Sequence, residues 1–302
     1  MRFVADLTAE AACRALRDAG VVCAADEVEI VRREERWAVR LPGERIAWFP
    51  ASEPGSRRLA LERRVLCLLA ARCAFDVPRI LFASGEFEVR RMVPGRCEPW
   101  PLFDRCRADS LLARRIGRSV GAMLAEQHAK IAEADVAGWL PRSVAWPEPG
   151  DWIRDRLPQV VDDRALIRVM EQVIERYEAL PVEATYRALV HGDVGLHNLA
   201  LDPSDAVTGI FDYDSAAWAD RHHDFRYLLF EVDREDMLES ALDVYEPETS
   251  RHIDRDRVRL YNAACAISFL ASRVGVAPDD SLCGRTLAED LRWVRWAVAK
   301  LA

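Results

Sequence analysis

The chain has 302 residues, half of them apolar and 30% charged, a globular composition with more length than one core usually supports, so two lobes are expected. A formal charge of −8 argues against nucleic-acid binding and favours a neutral or cationic partner. No run approaches the ~18 apolar residues of a membrane span, and the charged N-terminus lacks the apolar centre of a signal peptide, so a cytoplasmic protein with no membrane partner is expected. Eight cysteines without a C-x-x-C pair read as core residues and thiols of a reducing compartment. Only Lys130 and Lys300 among the 42 basic residues are lysine, which GC-rich coding explains without any function.

In chain order, Thr8–Ala19 is expected to be an amphipathic helix, capped by Thr8 and stopped at Gly20. Strands are expected at Glu27–Val31, Trp37–Leu41 and Arg45–Phe49, the last two joined by a Pro42-Gly43 turn. A helix from about Arg57 to Arg72 carries Leu61, Val65, Leu68 and Leu69 on one face. Further strands follow at Ile80–Phe82 and Phe87–Met92, and Val93-Pro94-Gly95 then breaks the chain. From there helical periodicity dominates, at Ser110–Ala134, Asp162–Ala179, His223–Leu242, Arg255–Ser272 and Thr286–Leu301, with a loop at Leu140–Pro149 and short strands at Leu199–Leu201 and Gly209–Phe211. The pattern predicts an α+β protein: a small β-rich lobe over residues 1–94, a hinge near Arg91–Gly95, and a larger helical lobe over 95–302.

The segment LVHGDVGLHNLALDPSDAVTGIFDYDSAAWADRHHDFRY, from Leu189 to Tyr227, carries the chemistry. Asp193 follows an apolar strand end in a turn loosened by Gly192 and Gly195, where a carboxylate can accept a hydroxyl proton as phosphate arrives. Asn198 and Asp212 offer hard oxygen donors for Mg²⁺. Phosphoryl transfer asks the protein mainly for positioning and charge neutralisation, and these three groups supply both. His191 is placed to brace the loop, and Asp224 with the Arg221–His223 run to anchor it from a following helix start.

HGDVGLHN followed by IFDYDSAAWADRHHDF resembles the catalytic loop and metal-binding aspartate of the aminoglycoside phosphotransferase family, small-molecule kinases with a protein-kinase-like fold. LALERRVLCLLA is similar to the family's first-lobe helix with its glutamate, here Glu62. FEVRRMVPGRC resembles its hinge, and GAMLAEQHA its helix ending in Leu-x-x-x-His. The resemblance implies Asp193 as catalytic base, Asn198 and Asp212 as Mg²⁺ ligands, and ATP with its adenine at the hinge residues Arg91, Met92 and Val93. The acceptor it implies is a hydroxylated small molecule, an antibiotic or a metabolite, with cationic character allowed. Gly192 stands where protein kinases carry an arginine that reads a phosphorylated activation loop, which implies no such switch.

One position departs from the family. Aligning RIAWFP on the third strand puts Trp48 where a phosphate-gripping lysine or arginine is expected, and an indole has one N–H donor and no charge. Arg40 on the preceding strand, or Arg45 in a shifted register, is expected to substitute, Arg40 ahead of Arg45, positioned by Glu62. The alternative is a catalytically idle kinase-like binding protein. The first hairpin, Arg32-Arg33-Glu34-Glu35-Arg36, has no glycine, and the chain holds no P-loop.

Other patterns read as structural. Gly117-Arg118-Ser119-Val120-Gly121 spells a nucleophile elbow, but it lies inside a helical run, so its glycines are expected to permit close helix packing. His222, His223 and Asp224 lack a third ligand at useful spacing for a metal, and His128 is expected to be packed or capping. Glu231, Asp233, Glu235, Asp236 and Glu239 are expected to form a solvated helix face, with a lining for a cationic substrate as the other reading. Trp293 and Trp296 are expected in the core, with a pocket wall as the other reading.

Overall fold

The computed structural model describes residues 6–230 and 234–301. In chain order the elements are α1 (Ala9–Asp18), β1 (Glu29–Arg33), β2 (Arg36–Leu41), β3 (Arg45–Pro50), α2 (Glu53–Arg72), β4 (Arg79–Ala83) and β5 (Glu88–Arg91). There follow α3 (Pro99–Ala108), α4 (Ser110–Lys130), α5 (Glu133–Val136), α6 (Gly150–Val160), α7 (Arg164–Glu178), β6 (Arg187–Val190), β7 (Leu199–Leu201), β8 (Val207–Ile210) and β9 (Ala217–Asp220). The last are α8 (His222–Phe225), α9 (Tyr227–Phe230), α10 (Glu235–Thr249), α11 (Arg255–Ala271) and α12 (Leu287–Ala299). They form two units: one holds the described residues up to Glu98 with 138–140 and 197–216, the other the rest.

In the first unit five antiparallel strands run in the order β1-β2-β3-β5-β4. Alternation along β2 divides its residues between two faces. Val39 and Leu41 join Ala47, Phe49, Phe87 and Val89 in a core covered by Cys13 and Leu16 of α1. Phe49 stacks on Phe87 with centroids 4.9 Å apart. The Thr8 hydroxyl accepts the Ala11 N–H at 3.2 Å, so α1 starts where its cap predicts. Arg36, Ala38 and Arg40 point the other way, with Ala38 opposite Trp48 and Trp48 opposite Glu88.

α2 starts four residues earlier than its periodicity suggests. Ser52 caps it through Gly55 N–H at 3.1 Å, with a proline in the first turn. Gly55 fits there because a Cβ would run into the Glu35 carbonyl oxygen.

The β7–β8 hairpin, expected with the helical lobe, groups with the first unit. The reason is backbone pairing: Arg96 and Leu201 exchange N–H···O bonds at 2.8 and 2.9 Å, and Ile210 N–H donates to Asp76 O at 3.1 Å.

In the second unit α6, α7, α11 and α12 enclose a core that includes Ile153, Leu157, Met170, Ile267, Leu270 and Val294. The α3 and α6 helices were not legible as periodic patterns, being short and rich in tryptophan and proline. β6 pairs antiparallel with β9. α4 packs on α10, where Gly117 and Gly121 leave no room for a Cβ against the Met237 and Ala241 carbonyls. The G-x-S-x-G pattern is therefore a helix contact. The helix expected over His223–Leu242 is instead α8, α9 and α10, and Glu231 and Asp233 lie outside the described residues.

Candidate active site

The even-numbered face of β2 meets α2 at Glu62, which is 1% exposed. Two guanidinium groups flank this carboxylate: Arg90 Nη1 at 2.8 Å from Oε1 and Arg36 Nη1 at 3.5 Å from Oε2. Burial opposes ionisation of Glu62, but Arg90 and then Arg36 outweigh it and hold the carboxyl below its ordinary range. Arg36 extends its other nitrogen to Asp214 Oδ2 at 2.6 Å, and Arg90 Nε donates to Glu88 Oε1 at 2.6 Å. Trp48 lies beside both cations, its ring centroid 5.0 Å from the Arg36 guanidinium carbon and 5.8 Å from that of Arg90. The indole thus offers its π-face to the cations it was expected to replace.

Arg40 is not the arginine beside Glu62. It is exposed and lies 3.6 Å from Glu29 Oε2. Arg36 and Arg40 share a face but stand about 13 Å apart along the strand, at ~3.3 Å per residue, and α2 brings Glu62 to the Arg36 end. Arg45 turns its Nε to Pro42 O at 2.9 Å and does not fill the role either. Alternation along β2 could have placed Arg36 on this face from sequence; Arg90 and Asp214 gave no signal.

Asn198, 3% exposed, and Asp212 belong to the hairpin in the same unit. Phe211 N–H donates to Asn198 O at 3.1 Å, which sets the backbone next to Asp212 against Asn198. Asp212 has φ 68 and ψ 58, a left-handed conformation that aspartate tolerates better than most residues and that clusters at functional sites. The next residues return to the Glu62 cluster: Tyr213 N–H bonds to the Glu62 carboxylate and Asp214 binds Arg36. One carboxylate and one amide oxygen suit Mg²⁺, which keeps several waters and takes few protein ligands besides substrate phosphates. Among the described residues, no group of three or more His, Cys, Asp or Glu is arranged to hold a metal.

Of the hinge residues, Arg91 is exposed, Met92 is 38% exposed and Val93 is buried. Met92 N–H is bonded to Glu44 O at 2.8 Å, and Val93 Cγ1 packs against Gly209.

In the second unit, Asp193 sits on a loop held from beneath. Asp224, fully buried, accepts His191 N–H at 3.0 Å and Gly192 N–H at 2.9 Å. His191 Nδ1 accepts Asp193 N–H at 3.1 Å, so this histidine braces the loop. His128 Nε2 lies 3.2 Å from Asp224 and its Nδ1 3.0 Å from Tyr245 Oη. Burial lowers the His128 pKa, so a neutral ring that donates from Nε2–H and accepts the tyrosine hydroxyl satisfies both contacts.

Two further residues reach the loop. Arg226, 1% exposed, donates to Gly192 O at 2.8 Å and His223 O at 2.6 Å. The Tyr227 hydroxyl donates to Asp193, and burial raises the phenol well above its ordinary value, so it remains a donor. Sequence spacing pointed to Asp224 but not to Arg226 or Tyr227, which look like ordinary helix residues.

The other polar patterns are structural. His222 Nδ1 meets Asp220 at 2.5 Å and its Nε2 accepts Asp254 N–H at 3.1 Å. His223 stacks on Tyr261 with centroids 4.1 Å apart. Glu235 pairs with Arg259 and Lys300, Asp236 with Arg234 and Glu239 with Arg255. Trp293 and Trp296 pack on the α11–α12 core.

A model of the phosphotransferase enzyme family (APH) matches residues 25–261. Solved structures share the fold. The GDP complex of wild-type aminoglycoside 2'-phosphotransferase-IIIa is 20% identical with a TM-score of 0.68, over 90% of this chain and 92% of that one. A macrolide 2'-phosphotransferase from Brachybacterium faecium is 17% identical with a TM-score of 0.64, over 95% and 98%. The streptomycin–ATP complex of APH(2")-IIa is 14% identical with a TM-score of 0.62, over 99% and 97%. The fold is thus the kinase-like one of the aminoglycoside and macrolide phosphotransferases. No curated protein sequence matches the chain.

Proposed function

The chain belongs to the phosphotransferase enzyme family, and from that premise we propose that it transfers the γ-phosphoryl group of ATP, as its Mg²⁺ complex, to a hydroxyl of a small molecule. The observation that carries the reading is the Asp193 loop: Asp224 fixes two of its backbone amides and Tyr227 holds the carboxylate. A base so held can orient and deprotonate an acceptor hydroxyl. Asn198 and Asp212 would hold Mg²⁺, which neutralises phosphate charge. Arg36, set by Glu62 and Asp214, takes the phosphate-binding role expected of Arg40. Adenine is assigned to the hinge at Arg91, Met92 and Val93.

The acceptor is proposed to be a hydroxylated antibiotic or metabolite. Aminoglycosides and macrolides stand first, because the similar structures are named for them, and the chain's charge of −8 suits their amines. The experiment is a γ-labelled ATP transfer screen against both antibiotic classes and small hydroxylated metabolites, with Asp193→Ala as control. Transfer by the unaltered protein that the variant loses supports the reading; transfer that survives in the variant removes Asp193 as base.

A second reading, a catalytically idle binding protein, is favoured by one observation: Arg36 already meets two carboxylates, and Trp48 adds no charge. A Mg²⁺-ATP titration separates the two, since no binding at millimolar nucleotide supports the idle form.

A further inference from the structure

The second unit contains an open cavity of about 500 Å³ whose lining includes Tyr186, Arg221, Ser250, Arg251, His252 and Asp254. It contains none of the residues assigned above to base, metal or nucleotide. Two arginines share it, and neither has a carboxylate at ion-pair distance among the described residues. Arg257 and Arg273, comparably buried, each do: Arg257 meets Asp220 at 2.6 Å and Arg273 meets Asp290 at 2.5 Å.

Arg221 is 4% exposed. Its guanidinium lies 5.5 Å from the Tyr186 ring centroid, and its Nη atoms donate to the Thr185 and His252 carbonyls. Its Nε is buried with no hydrogen-bond partner among the described residues. Arg251 is half-buried and donates to His128 O at 3.1 Å. The one lining carboxylate, Asp254, caps α11 by accepting Asp256 and Arg257 N–H at 2.9 and 3.2 Å. His252 is engaged with Glu246 at 3.0 Å.

An unneutralised buried cation is costly. Burial accordingly lowers the Arg221 pKa, with Arg251 acting in the same direction. A ligand supplying negative charge would remove that cost, and arginine forks match phosphate oxygens bidentately. The volume exceeds what a bare ion needs and falls in the range of small-metabolite pockets.

We propose that this cavity binds the phosphate group of a small molecule through Arg221 and Arg251, with the Ser250 hydroxyl as a further donor. Occupancy would be felt at the Asp193 loop, because Arg221 O accepts Asp224 N–H at 3.2 Å and Asp224 in turn holds Gly192.

The test is calorimetric titration of the full chain with inorganic phosphate, glucose 6-phosphate and AMP, repeated on Arg251→Gln and Ser250→Asp. Ser250 is exposed with φ 54, which aspartate accepts, so that variant adds a negative charge without disturbing a packed group. Saturable binding that weakens at least ~10-fold in both variants supports the site, since charge-assisted hydrogen bonds are of that size. Tighter binding of an organic phosphate than of the ion assigns the ligand to metabolites; equal binding assigns it to free phosphate. Absence of saturable binding by the unaltered protein overturns the proposal. So does affinity unchanged in Ser250→Asp, or complete displacement of phosphate by Mg²⁺-ATP.

Discussion

The Asp224 carboxylate accepts the Gly192 backbone N–H at 2.9 Å while its second oxygen meets His191 N–H and His128. A fully buried aspartate thereby exchanges its hydration for three donors, and the loop carrying Asp193 is defined by a residue on α8. Asp224→Ala removes the acceptor of two buried amides and of the His128 Nε2–H. Buried donors left unsatisfied cost about 1–3 kcal/mol each, so the expected loss is at least about 3 kcal/mol, read as a lower urea midpoint at pH 7.

Asp193→Ala is expected to lower kcat at least ~10²-fold, the low end of general-base effects, while nucleotide affinity stays unchanged. Tyr227→Phe removes the hydroxyl that orients Asp193 and should lower kcat less than Asp193→Ala does. Steady-state kinetics with the best acceptor from the transfer screen decides both.

Arg36→Gln and Arg40→Gln separate the two candidate phosphate grips. Arg36 contacts Glu62 and Asp214, whereas Arg40 is exposed beside Glu29. KM for ATP should rise at least ~10-fold in the first and stay within about twofold in the second, given the strength of hydrogen bonds to charged groups. Equal effects would contradict the assignment.

Acidification should destabilise the fold before any carboxylate titrates. Burial lowers the pKa of His223 and of His128, so the native protein leaves both rings neutral while the unfolded chain protonates them below about pH 6.5. Their contribution is complete above that pH and is lost as pH falls towards the native values. The urea midpoint should therefore drop between pH 7.5 and 5.5, and His223→Phe should flatten the slope. An equally steep profile in the variant would show that His223 does not contribute.

Gly121→Ala places a methyl against the Ala241 carbonyl and should cost about 1–3 kcal/mol, as overpacking does. Ser119→Ala, at a half-buried helix position where the hydroxyl donates back to Arg115 O at 3.1 Å, should change neither stability nor activity. A fluorophosphonate adduct on Ser119 would reverse that reading.

The strands and most helices were legible because alternation and 3.6-residue periodicity report which face is buried. Asp193, Asn198 and Asp212 stand out in the sequence as candidates because phosphotransfer chemistry restricts residue type and spacing together. What escaped depends on register across distant segments. Arg36 and Arg40 are both arginines on one face of one strand, and only the placement of Glu62 on α2 distinguishes them. Arg226 and Tyr227 sit in a helical stretch whose sequence does not reveal that it passes beneath Gly192. The break between α8 and α9 was missed for a related reason, since apolar residues on both sides sustain a single periodic pattern.

The cations beside Glu62 are arginines, and the chain's two lysines are Lys130 and Lys300. Nucleotide probes that identify kinases by acylating a lysine amine at the bound phosphate would find no amine at that position, because a guanidinium does not lose its proton to become a nucleophile. Side-chain amine acylation would be confined to Lys130 and Lys300, so profiling that relies on a lysine beside that glutamate would pass over this protein even when it is fully active.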